Sequence, residues 1–190
     1  REGRFEAHFG EFLQSDFPEY ALDGAWPMVR LFGEELAVIT LHSARPNPQL
    51  LRSSGYLPEA QLEALEKILR DPRLSDRFVF VAIHYGLRLP DGSPDHLHHR
   101  LINAEELLSS LGSLSRGAVL HGHIHHCYRL DLPELRVPIF SAGSSTCRGQ
   151  EGAWLFHFEK GKAAQVAKVA WSEGAYGLES TFAPVRKPPE

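Results

Sequence analysis

Three apolar runs along the chain each stop at a histidine: VITL (38–41) before His42, RFVFVAI (77–83) before His84, and GAVL (117–120) before His121. RFVFVAI is continuous and rich in branched and aromatic residues, the pattern of a strand buried on both faces. The first run closes the longer stretch MVRLFGEELAVITL (28–41), whose two apolar halves around FGEE predict a hairpin feeding a buried strand. RPNPQ (45–49) then breaks the pattern. Between the first two runs, LPEAQLEALEKILRD sets Leu62, Leu65, Ile68 and Leu69 at helical spacing, with Pro58 in the first turn and Asp71-Pro72 closing it. Between the second and third lies a polar loop, HYGLRLPDGSPDHLHHR. After it, Asn103 with Glu106 three residues on predicts a capping box opening the helix AEELLSSL. Beyond His121 the pattern shortens to strand-length pieces: CYRLDL, LRVPIF, the small-residue loop SAGSST, then WLFHFEK and QVAKVAW around the turn KGKA. The order βαβαβ followed by a β-rich end predicts a layered α/β sandwich, with no internal repeat.

In α/β sheets, ligands gather beyond the carboxyl ends of the strands, where the strand-to-helix loops converge. His84 and the segment His121-Gly122-His123-Ile124-His125-His126 stand at two such ends. In an extended backbone, residues i and i+2 share a face and lie roughly 6.5–7 Å apart, so His123 and His125 are expected to point together while Ile124 points away. Two ions about 3.5–4 Å apart, each with a metal–nitrogen bond near 2 Å, could take one imidazole each. The spacing equally allows both imidazoles on one ion, or a structural pair with no metal.

Composition narrows the field. The 190 residues are 43% hydrophobic and 23% charged with a formal net charge of −4, and no basic block marks a nucleic-acid groove. No apolar run approaches the roughly 20 residues of a membrane span, and REGRFEAHFG lacks the apolar core of a signal peptide, so a cytoplasmic protein is expected. Cys127 and Cys147, with no CxxC, read as free thiols.

An apolar strand ending in His84, then the NAEELL helix, then an apolar strand ending in G-H-I-H resembles the C-terminal half of a calcineurin-like metallophosphoesterase. The nearest variety is the bacterial phosphodiesterases similar to class III cyclic-nucleotide phosphodiesterases and glycerophosphodiesterases. LHSARP and SSGYLPEAQLEALEKIL extend the likeness over most of residues 1–171. The resemblance implies an α/β fold, the C-terminal portion of a four-layer αββα sandwich. The chain would form a single domain over 1–190 with its core at 26–171 and a tail at 172–190. His84 and His123 would be ligands of one metal and His125 a ligand of the other. Two divalent ions of manganese, iron or zinc would activate a bridging water against a small phosphate ester.

The same resemblance exposes what is missing. The family's first half carries D-x-H, G-D with a bridging Asp, and G-N-H-[DE], none of which occurs here. These residues are therefore expected to be part of a longer enzyme, inactive alone, with the catalytic groups outside this chain and with exposed apolar surface where a layer is incomplete. The alternative is a non-catalytic metal-binding or interaction module holding one structural zinc. Where the family commonly reads HHP, this chain has His84-Tyr85-Gly86. Tyr85 could donate to a phosphate oxygen, although packing under Leu87 is the plainer reading. His121 is expected to make a strand-end hydrogen bond, His126 to face solvent, His42 to be structural, and His96, His98 and His99 to sit in a solvated loop. SAGSST lacks a P-loop lysine, and Ser144 and Ser145 lack a GxSxG elbow, so neither phosphate-cradle nor serine-hydrolase chemistry is expected there.

Overall fold

The computed structural model describes residues 4–22, 26–47 and 53–185, so the end of the RPNPQ break and the last five residues lie outside the described part. A short helix, α1 (Arg4–Phe9), precedes the predicted hairpin, in which β1 (Met28–Phe32) and β2 (Leu36–Thr40) pair antiparallel with Val29 opposite Ile39. The two apolar runs joined by crossovers then follow. α2 (Glu59–Leu69) leads to β3 (Phe78–Ile83), and α3 (Ala104–Ser110) leads to β4 (Gly117–His121). β2, β3 and β4 are parallel neighbours, as strands joined by helical crossovers should be. β5 (Tyr128–Leu130) and β6 (Ile139–Ser141) complete a six-stranded sheet in the order β1-β2-β3-β4-β6-β5.

Both helices lie on one face of this sheet, where Leu65, Ile68, Leu107 and Leu111 meet Ile39, Val81 and Val119, all with no exposed surface. Each such side chain contributes about 1.5–3 kcal/mol through burial. The other face is covered by a second sheet: β7 (Ala153–His157) and β8 (Gln165–Ser172) are antiparallel, with β9 (Ala175–Leu178) and β10 (Ala183–Pro184) beside β8. Phe78, Phe80 and Phe140 of the first sheet pack there against Trp154, Phe156 and Phe158, with Phe80 and Phe156 edge to face at 4.7 Å. β3 is thus buried on both faces, as its unbroken apolar run predicts.

The protein is a mixed α/β structure of helices, sheet and sheet. Residues 172–185 supply β9, β10 and the buried Val185. No helical layer covers the outer face of the second sheet among the described residues, and Leu155, Trp171, Tyr176 and Leu178 are exposed there. Asn103 does not cap α3. Its amide instead clamps the buried backbone of Leu57, accepting from the Leu57 N–H at 3.0 Å and donating to its carbonyl at 2.8 Å. Gln61 clamps His42 in the same way, at 3.0 and 3.1 Å. The long-range partner wins because a buried backbone pair has no water to turn to.

Candidate metal centre

The parallel register carries the histidines to one edge. Thr40 lies opposite Ala82 and Ile83 opposite His121, so His84 leaves β3 level with the end of β4. The Gly122 N–H donates to the His84 carbonyl at 3.2 Å, tying the two strand ends together.

The segment after β4 is not extended. His123 has φ 67° and His125 φ 55°, in the left-handed region that L side chains seldom adopt. The Ile124 N–H donates to the Gly122 carbonyl at 2.7 Å, so His123 sits at the apex of a three-residue γ-turn with positive φ, a rare and strained form. The extended geometry expected for His123 and His125 therefore does not hold. Bonds from both neighbouring peptides bend the chain at Gly122, and the turn decides where each imidazole goes.

The turn brings His123 Nδ1 to 3.1 Å from His84 Nε2, while His123 Nε2 lies 3.0 Å from the His99 carbonyl. A carbonyl only accepts, so Nε2 carries the proton and Nδ1 presents its lone pair toward His84. Ligating histidines show this arrangement, in which the far nitrogen donates to a backbone carbonyl and fixes the tautomer. Two nitrogens bound to one tetrahedral ion at about 2.0–2.1 Å would lie about 3.3–3.4 Å apart, close to the separation seen. Burial lowers the His84 and His123 pKa values. For His123 the nearby His99 and His84 add to that effect and the value falls to about 4. Both rings are therefore neutral at physiological pH, the form a metal requires.

Around this pair the structure adds one residue that the sequence reading left in solvent. The His99 ring stacks on His123 with centroids 4.0 Å apart, and its Nδ1 lies 2.6 Å from Asp95. The Asp95-x-x-x-His99 spacing was a visible signal, but nothing in it pointed to His123. His96 and His98 remain exposed in the same loop. Tyr85 is buried, its ring 4.2 Å from that of His123 and its hydroxyl 3.5 Å from Ser53 Oγ. A Cβ on Gly55 would come within 2.3 Å of the Tyr85 ring, so glycine is what lets the backbone lie flat against it. His125 is exposed and within electrostatic reach of His84. It lines a half-open cavity of about 460 Å³ together with His126, Cys127, Gln150, Glu151 and Lys168.

The other candidates lie apart from the pair. His42 stacks on Trp26 with centroids 5.6 Å apart, and His126 is exposed with its ring edge-on to Tyr128. Ser144 Oγ accepts from the Thr146 and Cys147 N–H groups, a local turn rather than an anion cradle. Cys127 and Cys147 are both free thiols. Among the described residues no group of three or more His, Cys, Asp or Glu side chains is placed to hold a metal ion, and His84 and His123 meet as a pair.

No known family model matches the chain, and no curated protein matches it. Among solved structures it is similar to Vps29 of Entamoeba histolytica complexed with zinc, at 13% identity and a TM-score of 0.34, over 78% of this chain and 99% of that one. A double mutant of the same Vps29 aligns at 13% identity and a TM-score of 0.32, over 78% and 98% of the two chains.

Proposed function

We propose that His84 and His123 hold one divalent metal ion, that His125 serves a second, and that the completed centre hydrolyses phosphate esters, phosphodiesters foremost. The observation that supports this most directly is the 3.1 Å approach of His123 Nδ1 to His84 Nε2, with the far nitrogen of His123 locked onto the His99 carbonyl. The phosphoesterase part rests on the sequence resemblance, in which these histidines stand in the family's order at strand ends. An ion here would lower the pKa of a bound water and bind phosphate oxygens. This chain would supply neutral imidazoles, their orientation, and the adjoining cavity for the rest of the ester. Carboxylate ligands would come from motifs this chain does not contain.

A closed structural zinc is the poorer reading, because it needs four protein ligands, and among the described residues only two imidazoles converge, one of them exposed. Calorimetric titration of the full chain with zinc and manganese tests the proposal. Binding that is weakened by His84→Ala and His123→Ala alike supports it, and unchanged binding in both variants rejects it. The chain alone, with manganese and bis(p-nitrophenyl) phosphate, is expected not to turn over. Steady metal-dependent turnover would show that the carboxylates are not required from outside.

A further inference from the structure

His121 looks at first like a strand residue that happens to precede the metal-binding turn. It is in fact almost wholly buried, at 4% exposure, and each side of its ring is used. Nδ1 lies 3.1 Å from the Gly122 carbonyl and therefore donates to it. That same carbonyl receives the Ile124 N–H that closes the γ-turn around His123. The Tyr128 hydroxyl gives its one proton to the Arg88 carbonyl, and Nε2 carries none, so the two side chains meet by packing, with Nε2 3.4 Å from the Tyr128 oxygen and the rings edge-on at 5.7 Å. Arg88 is in turn held by Glu105 of α3, with both carboxylate oxygens 2.8 Å from one guanidinium nitrogen.

The ring is also packed against the loop that carries the other ligand. A Cβ on Gly86 would meet His121 Cε1 at 3.0 Å and Ile124 Cδ1 at 2.6 Å, so the backbone two residues after His84 rests directly on His121 and Ile124. One buried side chain thus touches the carbonyl that shapes the His123 turn, the loop leaving His84, and a tyrosine fixed to that loop at Arg88. Strain of about 1–3 kcal/mol at a positive-φ residue persists only where the surroundings over-determine the conformation, and these contacts are such surroundings.

We infer that His121, braced by Tyr128, is a positioning residue that holds the His123 turn against the His84 loop and so sets the separation of the two metal-binding imidazoles. The metal part of this inference rests on the function proposed above. The positional part does not, and it has a readout of its own, the protection of the Gly122 N–H that donates to the His84 carbonyl.

The test uses the full chain with His121→Leu, His121→Asn, Tyr128→Phe and, as a ligand control, His123→Ala. Amide exchange is followed at Gly122 and at Val119, which lies within β4 and reports the sheet's own stability. His121→Leu is expected to speed Gly122 exchange at least about tenfold relative to Val119. His121→Asn, which keeps a donor near the Nδ1 position, should restore most of the protection. Tyr128→Phe, which keeps the ring but releases it from the Arg88 carbonyl, should give a smaller effect of the same sign, and it carries the test where the Leu variant folds poorly. Gly122 exchange that stays in step with Val119 in both His121→Leu and Tyr128→Phe overturns the inference. Cobalt titration followed by visible absorption is read alongside: tenfold weaker binding and an altered spectrum in His121→Leu are expected, with binding lost in His123→Ala. If the unsubstituted chain binds no cobalt while the exchange result holds, the metal reading fails and the positioning role stands. If cobalt binds equally with and without His121, the positioning role fails and the metal reading stands.

Discussion

His123 combines a strained backbone, φ 67°, with an imidazole held at both nitrogens, and its burial lowers the pKa to about 4. An unfolded chain takes up that proton near the ordinary value of 6.5, whereas the folded chain resists until near 4. Between those limits the unfolded state binds more protons, so stability falls as pH drops from about 6.5 to 4 and the loss ends below. His84 and His121, both lowered by burial, act with the same sign. Urea melts from pH 7.5 to 4.5 should show this decline, and His123→Gln should flatten it. An equal slope in the variant would assign the effect elsewhere. Metal binding competes with the same proton and is expected to weaken over the same range. His125→Ala should leave binding of the His84–His123 ion unchanged, because one exposed imidazole holds no second ion without the missing carboxylates. Loss of metal binding in that variant, read by calorimetric titration, would place His125 on the same ion as His84 and His123.

At the scale of elements, the parallel core explains why the imidazoles meet at all. β3 and β4 end level, and the loops leaving them are joined by the Gly122–His84 backbone bond. Side-chain amides anchor the strand-to-helix connections beside them, Asn103 at the end of the loop from β3 holding Leu57 and Gln61 of α2 holding His42 just after β2. Asn103→Ser puts a good capping residue at the start of α3 but cannot span to Leu57, so it is expected to cost about 2–3 kcal/mol, the price of a buried donor and acceptor left unpaired. Equilibrium urea denaturation decides the point: a loss under about 0.5 kcal/mol would mean that the clamp is dispensable. The capping-box pattern was a fair local reading of Asn103 and Glu106. It failed because the competing partner lies 46 residues away along the chain, a distance that no local spacing encodes.

For the whole molecule, the helix–sheet–sheet layering leaves one apolar face bare. Leu155, Trp171, Tyr176 and Leu178 are exposed on the outer side of the second sheet, where the pairing of Trp171 with Tyr176 places them side by side. Contiguous apolar surface of this kind drives association. The chain is therefore expected to self-associate with rising concentration. Leu155→Lys with Leu178→Lys should suppress this in light scattering while leaving the thermal midpoint within a few degrees, and unchanged scattering would clear this face. No helix among the described residues is long and apolar enough to cross a membrane. The strands as far as β8, both core helices and the placing of His84 and His121 at strand ends were determined by the sequence itself, because apolar period and run length are local properties. So was the β-hairpin at 28–41, whose two runs differ by a single turn. The tertiary structure alone decided that His123 turns at positive φ toward His84, that His99 joins them from a distant loop, and that His121 braces the turn. Each of these rests on a hydrogen bond or a packed ring between segments far apart in sequence, and such contacts have no period to read.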